Sequence, residues 1–370
     1  MSGLTVTVDY GAITRNARTL LDRAAGAGLM AVVKADGYGH GLIETGRAAR
    51  AGGASWLGVA QPEEALALRA AGDTGRVLAW LYGPDVPATA LIAADVDLSV
   101  SSLANLRAVV AGAHAAGSRA RVHLGVDTGL GREGVTLEDL TELLDALARE
   151  SAAHTIEAVG IWSHFAWADA PGHPTIDDQA AAFHFALGAA RERGLTFEVR
   201  HLANSAAALT RPDLRFNLVR PGIALYGLSP LADAAAADLG LTPAMAVTSV
   251  VALVKKVGAG QGVSYGHDYV TERETYLGLV AAGYADGVFR SAGGRAEVSI
   301  RGERYRIAGR VCMDQFVVDL GPSTSVVEGD VVTLIGPDGP TARDWADAAG
   351  TIDYEIVCRF GGLRPKVAAR

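Results

Sequence analysis

MAVVKADGYGHG, residues 30–41, sets a lysine at the end of an apolar run and follows it with three alternating glycines, Gly37, Gly39 and Gly41. The run Met30–Val33 is too short for a helix core and leads into residues that favour turns, so it reads as a buried strand that stops at Lys34. An ammonium there is costly to bury unless it is paired or converted into something uncharged, and a covalent imine is one such conversion. A lysine that simply reaches solvent from the strand end satisfies the same pattern.

Seven further apolar or β-branched segments follow: WLGVA at 56–60, VLAWL at 77–81, VDLSV at 96–100, ARVHLGV at 120–126, EAVGIWS at 157–163, EVRHLA at 198–203 and FNLVR at 216–220. Between them lie stretches such as EEALALRAAG and LEDLTELLDALARE, whose apolar residues recur three and four apart as on a helix. Eight strands alternating with helices predict an α/β fold, a (β/α)8 barrel of the TIM type, over residues 11–236. Beyond residue 240 the pattern changes to closely spaced alternating runs, TSVVALVKKV, YLGLVAAGY, AEVSIRGERYRIAG, FVVDL and VVTLIG, which predict a predominantly β domain over 237–370. The Ala/Asp/Pro-rich segment 229–240 marks the boundary, and LTVTVDY within residues 1–10 alternates as a strand suited to pair with the second domain.

A chain of 370 residues, 49% hydrophobic and 20% charged, has material for two buried cores. Its net charge of −8 and lack of any basic run argue against a nucleic-acid surface and leave small molecules as the ligands. No apolar run reaches the ~20 residues needed to span a bilayer, and the amino terminus lacks a basic start before an apolar core, so a cytoplasmic protein without membrane association is expected. Two cysteines, Cys312 and Cys358, cannot build a disulfide framework or a four-ligand zinc site, and read as thiols in a reducing compartment. His164 and Asp169 lack a third metal ligand at convincing spacing, so no metal site is expected. Gly129, Gly131 and Gly134 fit a dinucleotide fingerprint in form, but no acidic residue follows at a second strand end.

In barrels of this kind chemistry sits at the carboxyl ends of the strands. That rule selects Lys34, Arg132, His164, Asn204, Ser205, Arg220 and Gly222. Individually each has a plainer explanation: Arg220 as a rim ion pair, Gly222 as a turn, Tyr38 and Tyr354 as half-buried aromatics, Met313 as core.

Nine segments together, AVVKADGYGHG, VHLGVDTGLGREG, WSHFAWAD, RHLANSAA, LVRPGIALYG, GVSYGHDY, AAGYADG, GRVCMDQ and IDYEIVCRFG, resemble the motifs of the alanine racemase family, in the family's order and over nearly the whole chain. The resemblance implies a fold-type III pyridoxal 5'-phosphate enzyme that interconverts L- and D-alanine, supplies D-alanine for peptidoglycan and works as a head-to-tail homodimer with shared sites. It implies that Lys34 is the Schiff-base lysine and the base toward D-alanine, and that Tyr265 from the partner chain is the base toward L-alanine. It assigns cofactor binding to Tyr38, His164, Asn204, Ser205, Arg220, Gly222, Ile223 and Tyr354, and substrate-carboxylate binding to Arg132 and Met313. Tyr284, with Tyr265 and Tyr354, would form a gate, and Arg290, Arg310 and Asp169 would line the corridor behind it, although these three charged residues also fit plain surface ion pairs.

Racemisation needs a proton carrier on each face of a planar carbanion, which is why two are expected. A tyrosine, with an ordinary pKa of ~10, needs nearby donors to serve as a base, and His164 linked to Arg220 is expected to help. Arg220 can donate to the cofactor's ring nitrogen but does not readily protonate it, which weakens the ring as an electron sink; His201 is expected to orient this arginine.

One position departs from the family. Where relatives commonly carry a lysine modified to a carbamate, VHLKVDTG, this chain has Gly125. Arg132 then loses that anionic partner, and a buried guanidinium with an anion or water cluster beside it is the expectation. Alternatives on the same fold are a broader amino-acid racemase, a decarboxylase, or a non-catalytic cofactor-binding protein. Decarboxylases of this fold carry a cysteine-bearing site and a longer β domain, and the second domain with Tyr265 argues against the non-catalytic reading.

Overall fold

The computed structural model describes residues 3–363 and 365–369. The chain divides into two compact units: one holds residues 11–37 and 42–243; the other holds the described residues up to Tyr10, Tyr38–Gly41, and those from Ala244 onward.

In the second unit, strand β1 is Thr5–Val8. The first unit contains the parallel strands β2 (Gly28–Val32), β3 (Trp56–Val59), β4 (Arg76–Ala79), β5 (Asp97–Val100), β6 (Ala120–Gly125), β7 (Ile156–Trp162), β8 (Val199–His201) and β9 (Leu218–Val219). Each falls on one of the eight apolar segments. They pair in the order β8-β7-β6-β5-β4-β3-β2-β9. An isolated parallel bridge between Asn204 and Arg220 joins the segment after β8 to the end of β9, so the sheet closes on itself. Parallel strands covered on both faces favour apolar residues throughout, and β3, WLGV, is buried at every position. Met30, Trp56, Leu78, Val159, Val199 and Leu218 form one interior cluster, with Trp80 packed against it.

Helices cover the outside. Leu140–Ala152 buries Leu140, Leu143, Leu144 and Leu147, the three-and-four spacing of an amphipathic helix. Leu103–Ala116 starts where the Ser102 hydroxyl accepts from the Asn105 amide and ends at Gly117 in the left-handed region.

The second unit is built on β10 (Met245–Val257), a 13-residue strand. Its first half pairs antiparallel with β1, and its second half with β13 (Thr275–Val280). The hairpin β11 (Gly262–Val263) and β12 (Tyr269–Val270) carries the YGH segment. β14 (Glu297–Ile300), β15 (Glu303–Arg306), β16 (Phe316–Gly321), β17 (Val331–Ile335) and the parallel β18 (Lys366–Ala368), which pairs with β1, complete the sheet. Two helices interrupt the β pattern, Ala342–Ala349 and Asp353–Leu363. The second contains most of IDYEIVCRFG and buries Ile356, Val357 and Phe360. Among the described residues no helix is long and apolar enough to cross a membrane.

Candidate active site

Lys34 stands two residues past the end of β2, at the start of a left-handed turn: Ala35, Asp36 and Gly37 have φ of 54°, 53° and 62°. Only glycine adopts that region freely, so Ala35 and Asp36 are held there by their surroundings at a cost of roughly 1 kcal/mol or more each. The Glu64 carboxylate does part of the holding, accepting from the amides of Ala35 at 2.6 Å and of Ala60 and Gln61 at 3.0 Å each. Asp36 accepts from the Leu42 amide at 2.8 Å. The ammonium thus emerges at a fixed place, 5.8 Å from the centroid of the Trp80 ring. Sequence reading passed over Glu64 and Trp80, although a glutamate three residues after Gln61, ahead of an apolar run, was a legible capping signal.

Arg220 lies 5% exposed at the end of β9. Its Nη1 donates to the His201 carbonyl and faces His201 Nδ1 at 3.4 Å, while Nη2 donates to the Ser163 carbonyl at 2.7 Å and to His164 Nδ1 at 3.3 Å. Burial pulls the guanidinium down to about 9, which leaves it charged at neutral pH. Burial, reinforced by the charges of Arg220, Arg132 and Lys34, pushes His164 down to about 3, so its ring is neutral. With Nδ1 accepting from Arg220, the ring proton sits on Nε2.

Beside this group, Ser205 Oγ accepts from the amides of Gly222 at 2.9 Å and Ala224 at 3.3 Å. Ser205 opens the helix Ser205–Thr210, capped by Asn204, and Ile223 opens the 3-10 turn Ile223–Tyr226. Two helical N-termini therefore bring amide donors and a hydroxyl together, a donor set suited to an anion.

Arg132 departs from expectation. Its side chain is 58% exposed, and the Glu133 carboxylate engages it through two hydrogen bonds, Nε to Oε2 and Nη2 to Oε1, the latter 2.8 Å. The pairing holds Arg132 above its ordinary value. It is neither buried nor without a carboxylate, because Gly131 and Gly134 take positive φ and fold the loop so that neighbouring side chains meet. At Gly125 a Cβ would lie 2.6 Å from Ser101 Oγ and 3.2 Å from Trp162 Nε1, so a side chain there requires the Ser101 hydroxyl to turn away and the indole to give by a few tenths of an ångström. Asp169 stands exposed in the loop after β7.

The remaining candidates belong to the second unit. Tyr38 is buried there, its ring 6.1 Å from that of Tyr354. Burial, with Tyr354 and Cys358 nearby, raises the Tyr38 phenol well above its ordinary range and keeps it a donor. Tyr265 is 70% exposed on a turn that Arg310 braces. Arg310 pairs with Asp268 through bonds of 2.5 and 2.9 Å, and its carbonyl accepts from Ser264 Oγ at 2.7 Å. Arg290 acts on the same Asp268 carboxylate. Tyr284 donates its amide to the Cys312 carbonyl at 3.0 Å, and Ala285 donates to the Met313 carbonyl at 2.9 Å, which binds the Tyr284 turn to the segment carrying Met313. Among the described residues no group of three or more His, Cys, Asp and Glu is placed to hold a metal ion.

The described residues thus form a closed parallel barrel with a lysine-bearing turn after its first strand, and a second, mostly β unit, which defines a two-domain barrel protein. The family model of the alanine racemase N-terminal domain matches residues 8–230 and that of its C-terminal domain residues 244–368. The chain is 54% identical over 362 residues to an alanine racemase of Salinispora tropica, covering 97% of this chain and 96% of that protein. It is 51% identical to one of Mycobacterium tuberculosis, covering 95% and 92%. The crystal structure of alanine racemase from D-cycloserine-producing Streptomyces lavendulae superposes with a TM-score of 0.98 at 50% identity, over 100% of this chain and 98% of that one. This chain belongs to the alanine racemase family.

Proposed function

We propose that the protein interconverts L- and D-alanine with pyridoxal 5'-phosphate as cofactor, as a homodimer that supplies D-alanine for peptidoglycan in the cytoplasm. The observation that carries this reading is the common placement, at the carboxyl ends of the barrel strands, of Lys34, the buried Arg220 and the Ser205–Gly222–Ala224 cradle. Those residues fit the cofactor by the chemistry of their donors: an amine for an imine bond, amides and a hydroxyl for a phosphate, a charged guanidinium for a ring nitrogen. Asn204 and Ile223 border the phosphate donors, and Tyr38 and Tyr354 are assigned to the same group.

Bound pyridoxal phosphate would withdraw electrons from the α-carbon and make its proton labile. The chain's own part is to move that proton. Lys34 Nζ takes and returns it on one face, and the Tyr265 hydroxyl of a second copy does so on the other. The 70% exposure of Tyr265 supports its service to a partner. His164, neutral with its proton on Nε2, is a donor that stabilises the tyrosine when it has lost its proton. Arg132 and the Met313 backbone hold the substrate carboxylate, with Glu133 aligning the guanidinium. Tyr284, Arg290, Arg310 and Asp169 are assigned to the gate and corridor.

The test is racemisation of both alanine enantiomers by the purified protein with pyridoxal phosphate, beside Lys34→Ala and Tyr265→Phe. Interconversion that both substitutions cripple is expected. A protein that turns yellow but exchanges no α-proton would leave the cofactor assignment standing and sink the racemase reading.

A further inference from the structure

Inside the barrel four titratable side chains form one hydrogen-bonded file: Asp97 on β5, His123 on β6, His201 on β8 and Arg220 after β9. The first three are 0% exposed and Arg220 is 5%. Asp97 Oδ2 lies 3.1 Å from His123 Nε2, His123 Nδ1 lies 2.8 Å from His201 Nε2, and His201 Nδ1 lies 3.4 Å from Arg220 Nη1. The two histidines sit on strands separated by β7, and their bond crosses over Gly160. A Cβ at Gly160 would fall 2.2 Å from His123 Nδ1, so the strand between them is open to the bond only because that residue is glycine.

The direction of every link is determined. Asp97 is clamped by Arg76 Nη2 at 2.6 Å and Arg121 Nε at 2.7 Å. Burial alone would raise its carboxyl, but His123 and Arg76 outweigh that and hold it ionised below the usual range. An ionised carboxylate only accepts, so His123 Nε2 carries the proton. Burial pulls both histidines below their ordinary value and leaves them neutral, so His123 Nδ1 is bare and must accept from His201 Nε2–H. His201 Nδ1 is bare in turn, and it faces Arg220, which can only donate. Reversing any one link would set two N–H groups or two lone pairs against each other. Arg220 thereby commits Nη1 to His201 and Nη2 to Ser163 and His164, with Nε as its remaining donor.

We propose that Asp97 and His123 are positioning residues for Arg220: through the fixed tautomer of His201 they orient the guanidinium so that Nε points at the ring nitrogen of the cofactor. The second half of this statement rests on the cofactor assignment made above; the tautomer file stands without it.

The experiment uses the full-length chain with 15N-labelled histidine, with and without pyridoxal phosphate. In the wild type both His123 and His201 are to read as neutral Nε2–H rings between pH 6 and 8; a His201 ring protonated on Nδ1 overturns the file. Asp97→Asn replaces an obligatory acceptor by an amide that can also donate, so the His123 resonances, and through them those of His201, move away from their wild-type positions. With cofactor bound, kcat falls about tenfold or more at unchanged KM for alanine, and the pH profile of the visible band shifts. A folded Asp97→Asn protein with wild-type kcat and band overturns the positioning role. If that variant does not fold, His123→Leu and His123→Gln decide: glutamine can still donate to Asp97 and accept from His201, so it retains activity and band where leucine loses them, and equal behaviour of the two overturns the proposal. A wild-type chain that binds no pyridoxal phosphate defeats the cofactor reading and the role toward it, while the His201 tautomer still passes or fails the file.

Discussion

Arg220 Nη2 donates to His164 Nδ1 at 3.3 Å, and this single bond fixes which nitrogen of His164 carries its proton. The Nε2–H that results is the group proposed to stabilise Tyr265 of a second copy after proton loss. His164→Leu is therefore expected to slow α-proton loss from L-alanine by roughly tenfold to a hundredfold, and loss from D-alanine much less. Deuterium exchange followed before equilibrium in each direction separates the two. Equal losses would mean that His164 acts on the cofactor site as a whole.

The Arg132–Glu133 pair makes a different claim. Two hydrogen bonds from one carboxylate align a guanidinium that is otherwise exposed, so removing the carboxylate costs orientation rather than fold. Glu133→Ala is expected to raise KM for alanine about two- to tenfold with kcat little changed, the small range reflecting solvent screening of an exposed pair. Thermal midpoints should match the parent. A fall in kcat with constant KM would place Glu133 in the proton-transfer step instead.

The barrel was legible because a strand covered on both faces must be apolar along its length, and Leu57–Val59 and Val77–Ala79 announce that. Lys34, His164 and Arg220 stood out as polar residues that end such runs. Asp97 and His123 did not, because VDLSV and VHLGV place them within apolar runs, and His123 meets His201 78 residues away in sequence. The helix Asp353–Leu363 falls outside the β pattern expected for this unit, although Ile356, Val357 and Phe360 carry a helical period. Glu133 escaped notice because an Arg-Glu dipeptide normally points its side chains apart, and only the glycine-rich loop brings them together.

Gly125 and Trp162 divide one space between them. Trp162 donates Nε1–H to Ser99 Oγ at 2.8 Å, and its ring lies nearly parallel to that of His201, 6.2 Å away. A lysine at 125 would have to turn the Ser101 hydroxyl aside and crowd that indole. Gly125→Lys is expected to destabilise the protein by about 1–3 kcal/mol, read as a lower urea midpoint at unchanged slope, with no gain in activity. A lysine variant as stable as the parent, with Trp162 fluorescence shifted, would mean that the indole swings aside and that the space is not fixed.

Stability should fall on the acid side of neutrality because of the buried rings. An unfolded histidine takes its proton near pH 6.5, whereas burial lowers His123 and His201 in the fold and takes His164 down to about 3. Below pH 6.5 the unfolded chain therefore binds more protons than the folded one, and stability drops by up to about 1.4 kcal/mol per pH unit for each such ring. The Asp97 carboxyl, held below its ordinary value, works in the same direction in a lower window: its contribution is present above about pH 4 and is lost as pH falls through its folded pKa. Urea unfolding at pH 8, 7, 6 and 5 is expected to give midpoints that are level between 8 and 7 and fall steeply below 6. His164→Gln should make that slope shallower by the share of one ring. A midpoint constant from pH 8 to 5 would mean that these histidines reach solvent and take up protons in the folded protein, which the burial of His123 and His201 forbids.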